Sequence, residues 1–476
     1  MLQDVDSTNC GIKKVVMNKI IFFTIVLFLP VWAFGQTQDT VKISLQDFIK
    51  QGMENSGQVK YEKQKVNLAE NQVEQVRAQR FLPKFELNTQ HGVVPGVESN
   101  TSLPKDEYYL DPNLKNDWNN WAVYTRADIT AIQPIFSWGA LKNAVKAAKS
   151  AAVAAQAQFK GEKADLKIRL FDLYQSYKLT SELLSLLEEA EGKIQDIQDR
   201  IDKKKNEKGS DVDESDIYKF KVYKSEFEMK AAEVRQNAKT TQKIWNYVLQ
   251  AKDSTVYVPD SYYLDPVPQK LKQLDYYRMN AMSNRSEIAA IQAGINAAQY
   301  GLKATKMKNY PTFFLGLTGS YANTPNRPRQ SNPFIINSTN YASAAVGFGI
   351  RQNLDFLSME ADVNKSKIQY QQAKYLKDAA VDGIFLDISN AYKDAALSKV
   401  KVDKTNEALV TSKKWLRQEQ LDSDFGIGDT KDLIDAMKKE LELRVQLKRQ
   451  TFEYNKDMAK LYRKAGLPIM EIVNKK

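Results

Sequence analysis

The sequence predicts an internally duplicated α+β membrane protein in which long coiled-coil helices are joined to transmembrane β-strands. Three observations carry this. A plan of helix, proline-ended strand, loop, strand, long helix and returning helix occurs twice along the 476 residues. Two long stretches contain no proline and hold apolar residues at coiled-coil spacing. The windows between them are proline-rich and alternate apolar with polar residues in runs of about ten.

At the N-terminus, Met17-Asn18-Lys19 precedes an apolar run from Ile20 to Trp32 and then Ala33-Phe34-Gly35-Gln36. A charged start, a short apolar core and a small-x-small site are the parts of a secretory signal. The run is too short for a stable bilayer anchor. On this reading residues 1–16 are an upstream extension, Met17 is the start and Gln36 the first mature residue. A buried N-terminal helix is the alternative. The remaining chain divides into a first repeat, 36–272, and a second, 273–476.

Composition then excludes several chemistries. The only cysteine, Cys10, lies before the predicted cleavage site, so the mature chain forms no disulfide, thiol nucleophile or cysteine metal site. A single histidine, His91, argues against zinc. The leader removes three lysines and two aspartates, so the mature net charge is about +10. No aromatic-interleaved basic module accompanies that charge, so nucleic acid is not an expected partner. No other apolar stretch approaches a membrane helix, so any membrane entry is by strands. No phosphate loop, triad or metal cluster is present, which gives an enzyme reading little support and implies no cofactor.

In the first repeat, Val66, Ala69, Val73 and Val76 mark an opening helix that ends at Phe81-Leu82-Pro83. Phe85, Leu87, Thr89, His91 and Val93 then alternate with Glu86, Asn88 and Gln90. Trp121, Val123, Thr125, Ala127 and Ile129 form a second alternating set. Gln133-Pro134-Ile135-Phe136-Ser137-Trp138-Gly139 opens a helical run expected from about Ser137 to Asn206, roughly 105 Å at about 1.5 Å per residue. Leu183, Leu187, Ala190, Ile194, Ile197 and Ile201 form its coiled-coil seam. Gly161 and Gly192 are places where that run could instead break.

The second repeat follows the same plan. Asn309-Tyr310-Pro311 ends a helix, and Phe313, Leu315, Leu317, Gly319 and Tyr321 alternate after it. Ala342, Ala344, Val346, Phe348 and Ile350 form the fourth set, and Val381, Ile384, Ile388, Ala391 and Ala395 the second seam. Tyr108, Tyr109, Trp118, Trp121 and Trp138 are candidates for interfacial aromatics, and His91 for a rim or packing residue. With no further strand candidates, four strands cannot close a barrel, and an open edge has no hydrogen-bonding partner in lipid. Several chains must therefore share one barrel.

This order of elements, with Gln133 to Gly139 and the turn Phe425-Gly426-Ile427-Gly428-Asp429 as its sharpest local matches, resembles the TolC-like outer membrane factor family over essentially the whole mature chain. The resemblance implies a homotrimer in the outer membrane of a Gram-negative bacterium. A long coiled-coil α-helical barrel in the periplasm joins a shared transmembrane β-barrel, four strands per protomer and twelve in all. It further implies docking on a periplasmic adaptor and an inner membrane transporter. The implied role is an export channel, for small-molecule or metal efflux or for type I protein secretion. The reading from a different class is a periplasmic coiled-coil scaffold or stalk with no pore, which would have no use for four alternating runs.

In the family, acidic residues after the second-repeat turn ring the periplasmic entrance. Asp432 and Asp435, six and nine residues after Gly426, match that pattern. The first repeat carries one extra residue, with Asp216 seven after Gly209, and Ser423 and Gly428 stand where a gate-holding tyrosine and arginine are expected. Positions three apart share a helix face, so three protomers would stack two carboxylate rings, which attract cations in a narrow pore. The alternative is that both are helix-start carboxylates favoured by the macrodipole. Gly209, Ser210, Gly426 and Ile427, at the two reversals, are the expected adaptor-docking tips; Lys203-Lys204-Lys205 is a solvated hairpin end or an adaptor contact.

Overall fold

A computed structural model of the chain describes residues 39–98, 115–206, 214–252, 255–327, 339–425 and 430–473. The predicted leader, Tyr108, Tyr109 and the tip residues Gly209, Ser210, Gly426, Ile427 and Gly428 lie outside the described residues. The first half runs β1 (Asp39–Ile43), α1 (Leu45–Asn55), α2 (Gly57–Phe81), β2 (Lys84–Glu98), β3 (Lys115–Phe136), α3 (Ala140–Asn206) and α4 (Glu214–Leu249). The second runs β4 (Thr255–Pro259), α5 (Leu274–Asn284), α6 (Ser286–Lys308), β5 (Thr312–Asn323), β6 (Tyr341–Arg351), α7 (Phe356–Asp424) and α8 (Thr430–Lys464), with a 3-10 turn at Ile469–Ile472.

The four long strands form one antiparallel sheet, β2-β3-β5-β6, so the two halves join at β3 and β5. Its register decides which residues share a face. Phe85 lies opposite Ala131, Leu87 opposite Ile129, and Val93 opposite Val123. Ala131 in turn faces Leu317, which faces Val346. Every apolar set read from the sequence thus falls on one face, because side chains alternate along strands and a one-residue slip would scatter them. That face is open in the single chain: Phe85, Leu87, Val93, Val346 and Phe348 are all exposed. The other face carries Asn88 opposite Asp128, then Ser320, then Ser343.

Helix α3 is continuous through 67 residues, passing both Gly161 and Gly192. Gly161 serves close approach rather than a break: a Cβ there would stand 2.9 Å from Ser286 Oγ on α6. The predicted seam is buried at Leu183, Leu187, Ala190, Ile194, Ile197 and Ile201. Along α7 the seam continues as Ile388, Ala395, Val402, Leu409 and Leu416, interleaved with Ser398, Thr405 and Ser412, all buried. Small hydroxyl residues in alternate layers let the partner helix α8 come close, and Ser398 bonds the Asp457 carboxylate of α8.

The structure corrects the reading at three places. The helix expected from Ser137 begins at Ala140, because Gln133 to Phe136 finish β3 and Trp138 (φ 51°) and Gly139 (φ 88°) turn the chain. The helices before each strand pair are interrupted, at Ser56 and at Arg285, where the backbone is extended. A second sheet exists: β1 and β4 pair in parallel, Asp39 beside Thr255 and Ile43 beside Pro259. These five-residue strands are too short to signal by alternation, and their pairing is long-range.

The second sheet caps an aromatic core midway along the helices. Phe48 and Trp245 lie 4.3 Å apart, with Tyr174, Phe171, Tyr277 and Tyr462 also fully or nearly fully buried. Tyr174 donates to Asp260 at 2.6 Å and lies 3.1 Å from Ile43 O, tying α3 to both short strands. Burying a ring such as Phe48 contributes about 1.5–3 kcal/mol. Both returning helices end alike. Ala251 N donates to Asn246 O across Gln250 (φ 51°), and Leu467 N to Tyr462 O across Gly466 (φ 70°). Gly466 is obligatory, since a Cβ would stand 2.8 Å from Arg285 N.

Candidate functional site

The far helix ends of the chain converge in a small apolar cluster. Leu433, Ile434, Ala436 and Met437 of α8 pack with Ile194, Ile197 and Ile201 of α3, Phe220 and Tyr223 of α4, and Leu416 of α7. Burial of these α8 positions leaves Asp432 and Asp435 on the opposite, exposed face. They are three residues apart, so both project from the same side of α8. Lys439 and Glu442 continue that side one and two turns on, 4.0 Å apart. Asp432 lies in the first turn, where the helix dipole favours a carboxylate. Asp435 is the sixth residue of α8, beyond the reach of that effect, so the macrodipole accounts for at most one of the pair.

Charged contacts set the axial position of α8. Lys438 pairs with Glu226 of α4 at 3.2 Å, and Lys448 with Glu182 of α3 at 2.7 Å. Arg444 reaches Glu189 of α3 at 2.6 Å and also bonds Glu440, whose side chain is buried. Lys193 first and then Arg444 hold the Glu189 carboxyl below the usual carboxylate range. A slide of α8 by one turn would break its contacts to Glu226, Glu189 and Glu182 together, so the two aspartates are fixed in height relative to α3 and α4. The sequence singles out none of the three interhelical pairs, because their partners are more than 200 residues apart.

The polar face of the long sheet is the second candidate surface. Arg126 Nε lies 2.7 Å from Asp128, and Ser320 Oγ of β5 donates to the same carboxylate at 2.7 Å. Glu86, Asn88 and Gln90 extend this surface along β2. At its helix end the opposite, apolar face gathers aromatics. Trp138 stacks on Tyr310 at 5.6 Å and on Phe136 at 5.1 Å, and its Nε1 donates to Pro311 O at 2.9 Å. Trp138, from one half, thereby pins the Tyr310-Pro311 turn of the other, and the expected interfacial role suits its exposed indole. His91 is exposed on the apolar face, 3.3 Å from Thr125 Oγ1. Ser423 is half-buried near the end of α7. Among the described residues no helix is long and apolar enough to cross a membrane.

A sheet apolar on one face and polar on the other, continued by helices about 100 Å long, suits a chain whose strands meet lipid while its helices reach away from it. Comparisons with known proteins agree. The family model for outer membrane efflux proteins matches residues 278–467, and the chain carries an outer membrane efflux protein module there. The open state of the Neisseria gonorrhoeae MtrE outer membrane channel is similar in fold. It is 14% identical, with 90% of this chain and 91% of that one covered and a TM-score of 0.70. The Campylobacter jejuni CmeC outer membrane channel is 14% identical, covering 89% and 85%, with a TM-score of 0.68. VceC, an outer membrane protein of Vibrio cholerae, is 15% identical, covering 89% and 96%, with a TM-score of 0.63. No curated protein sequence matches the chain. The resemblance to TolC-like outer membrane factors is thus borne out.

Proposed function

We propose that three copies of this chain form an export conduit, with a twelve-stranded barrel in the outer membrane and an α-helical barrel in the periplasm. The observation that carries this reading is the isolated four-stranded sheet. Its apolar face is largely open in one protomer, with Phe85, Leu87, Val93, Val346 and Phe348 exposed, and its edges, β2 and β6, have no strand partner among the described residues. Lipid offers no hydrogen bonds to an open edge, and closure by neighbouring copies satisfies both edges and covers neither face. The shared element order and the matching ends of α4 and α8 support an internal duplication, with repeats at 36–272 and 273–476. The mass of the detergent-solubilised complex tests the assembly. A trimer is expected, and a folded, membrane-inserted monomer would sink the reading.

In this reading Asp432 and Asp435 line the periplasmic entrance, and the reversals after Asn206 and Phe425 meet a periplasmic adaptor that links the conduit to an inner membrane transporter. Helices α3 and α7 both end at that pole, where the apolar cluster packs them against α4 and α8. Cysteines placed at Ser210 and Ile427 are expected to crosslink to the adaptor in whole cells. Crosslinks from the barrel loops, with none from either tip, would reverse the orientation.

A further inference from the structure

The geometry points to a second constriction, at the outer mouth of the barrel, made by the segment that leaves β5 and closed by an Asn/Arg clasp over the polar face of the sheet. This rests on the channel reading above. The loops after β2 and after β5 leave the sheet at the same end, away from all the long helices. There Arg327 Nε donates to Pro95 O at 2.9 Å, and Asn326 Nδ2 donates to Asn120 O at 2.6 Å. Pro95 is on β2, two strands from β5 in the sheet order, about 10 Å away at the usual strand spacing. The Arg327 side chain must therefore reach across β3 on one face.

Gly96 says which face. It follows Gly92 and Val94 on the even-numbered, polar side of β2, beside the register shift at Pro95. A Cβ built on Gly96 would stand 3.0 Å from Asn120 O and 3.1 Å from Asn326 Nδ2. The Asn326 amide thus sits directly on the polar side, and a side chain at position 96 would press on it. Burial agrees: β2 is exposed from Lys84 to Val93 and becomes half-buried to buried at Val94 to Val97, where the segment covers it.

The segment is also held at its own base. Asn340, only 4% exposed, accepts from Thr324 N at 2.6 Å and donates to Thr324 O at 3.0 Å and Arg327 O at 2.7 Å. Thr324 Oγ1 donates to Thr339 O at 3.0 Å. One buried amide saturates three backbone groups, which turns the start of the loop inward instead of leaving it free above the strands. In a closed trimer three such segments narrow the exit. The clasp is made of neutral amides and one guanidinium, which keeps its positive charge when its Nε bonds a carbonyl, so size and charge together set passage at the outer mouth.

Thiol access from outside tests this. Asn88→Cys places a reporter on the polar face, on the helix side of the clasp; the only native cysteine, Cys10, falls in the predicted leader. In intact cells a small maleimide should label the reporter at one rate in all variants. A bulky polyethylene-glycol maleimide should label it slowly in the parent and at least about threefold faster in Arg327→Ala and in Asn326→Ala, if the loops set the exit radius. An unchanged bulky-to-small ratio in both variants overturns the constriction. Failure of even the small reagent to reach Asn88→Cys would instead overturn the placement of the polar face in an open lumen, and with it the channel reading.

Discussion

Replacing Asp432 and Asp435 together by alanine is expected to raise single-channel conductance in planar bilayers by at least about twofold and to weaken cation preference. Block by multivalent cations added on the periplasmic side should fall in parallel. Both effects follow from stacking two carboxylates per protomer on the exposed side of α8, where three copies would place six charges around one opening. The double variant Asp432→Asn, Asp435→Asn separates charge from size. It should lose selectivity and block as fully as the alanine pair while changing the radius little. Stability should barely move, because both side chains are exposed and the residues that seat α8 are Leu433, Ile434, Ala436 and Met437. Wild-type conductance, selectivity and block in the alanine pair would make these carboxylates ordinary helix-start residues.

How much of this was legible before the fold was known depends on the range of the interaction. Period-two and period-3.5 patterns are local, so the four long strands and both seams were readable from runs such as Phe85 to Val93 and Leu183 to Ile201. The sheet order followed only in part: alternation sets each strand's apolar side, but nothing local says that β3 pairs with β5. The strands β1 and β4 were invisible because Asp39 to Ile43 and Thr255 to Pro259 make sense only beside each other and against Phe48 and Trp245. Ser398, Thr405 and Ser412 read as surface residues until α8 packs on them. The aspartates at the tip were found through a resemblance, and their exposure follows from which neighbours are buried. The ion pairs of Arg444 and Arg463 depend on partners hundreds of residues away.

Arg463 is where the second large effect is expected. Its guanidinium holds Asp165 of α3 by two bonds, at 2.7 and 2.9 Å, and Glu287 of α6 at 2.9 Å. Next to it Lys464 pairs with Asp387 of α7 at 2.8 Å, and Arg285 lies 3.3 Å from Glu287. Four helices from both halves thus meet around one arginine whose side chain is 10% exposed. Arg463→Met leaves two carboxylates without their main partner. Breaking a fully buried pair costs about 3–5 kcal/mol. Glu287 and Asp165 keep 36% and 47% of their side chains exposed, so solvent screening brings this to about 2 kcal/mol. The dependence on pH is specific. Burial alone would raise the Glu287 carboxyl, but the hydrogen bond and charge of Arg463 overcome this and hold it at about 2. A depressed folded value means that the stabilisation is complete above the unfolded value, about 4.3, and is lost as pH falls from there through about 2. The gap in thermal stability between the parent and Arg463→Met forms of the proposed trimer, followed by loss of the oligomer on unboiled gels, should therefore be widest near pH 7 and shrink below about pH 4. Adding Glu287→Gln to Arg463→Met should recover part of the loss at pH 7, since a neutral amide leaves no uncompensated charge. A gap that stays constant from pH 7 to pH 3, with no recovery in the double variant, would mean that Arg463 acts by packing its aliphatic stem rather than by pairing.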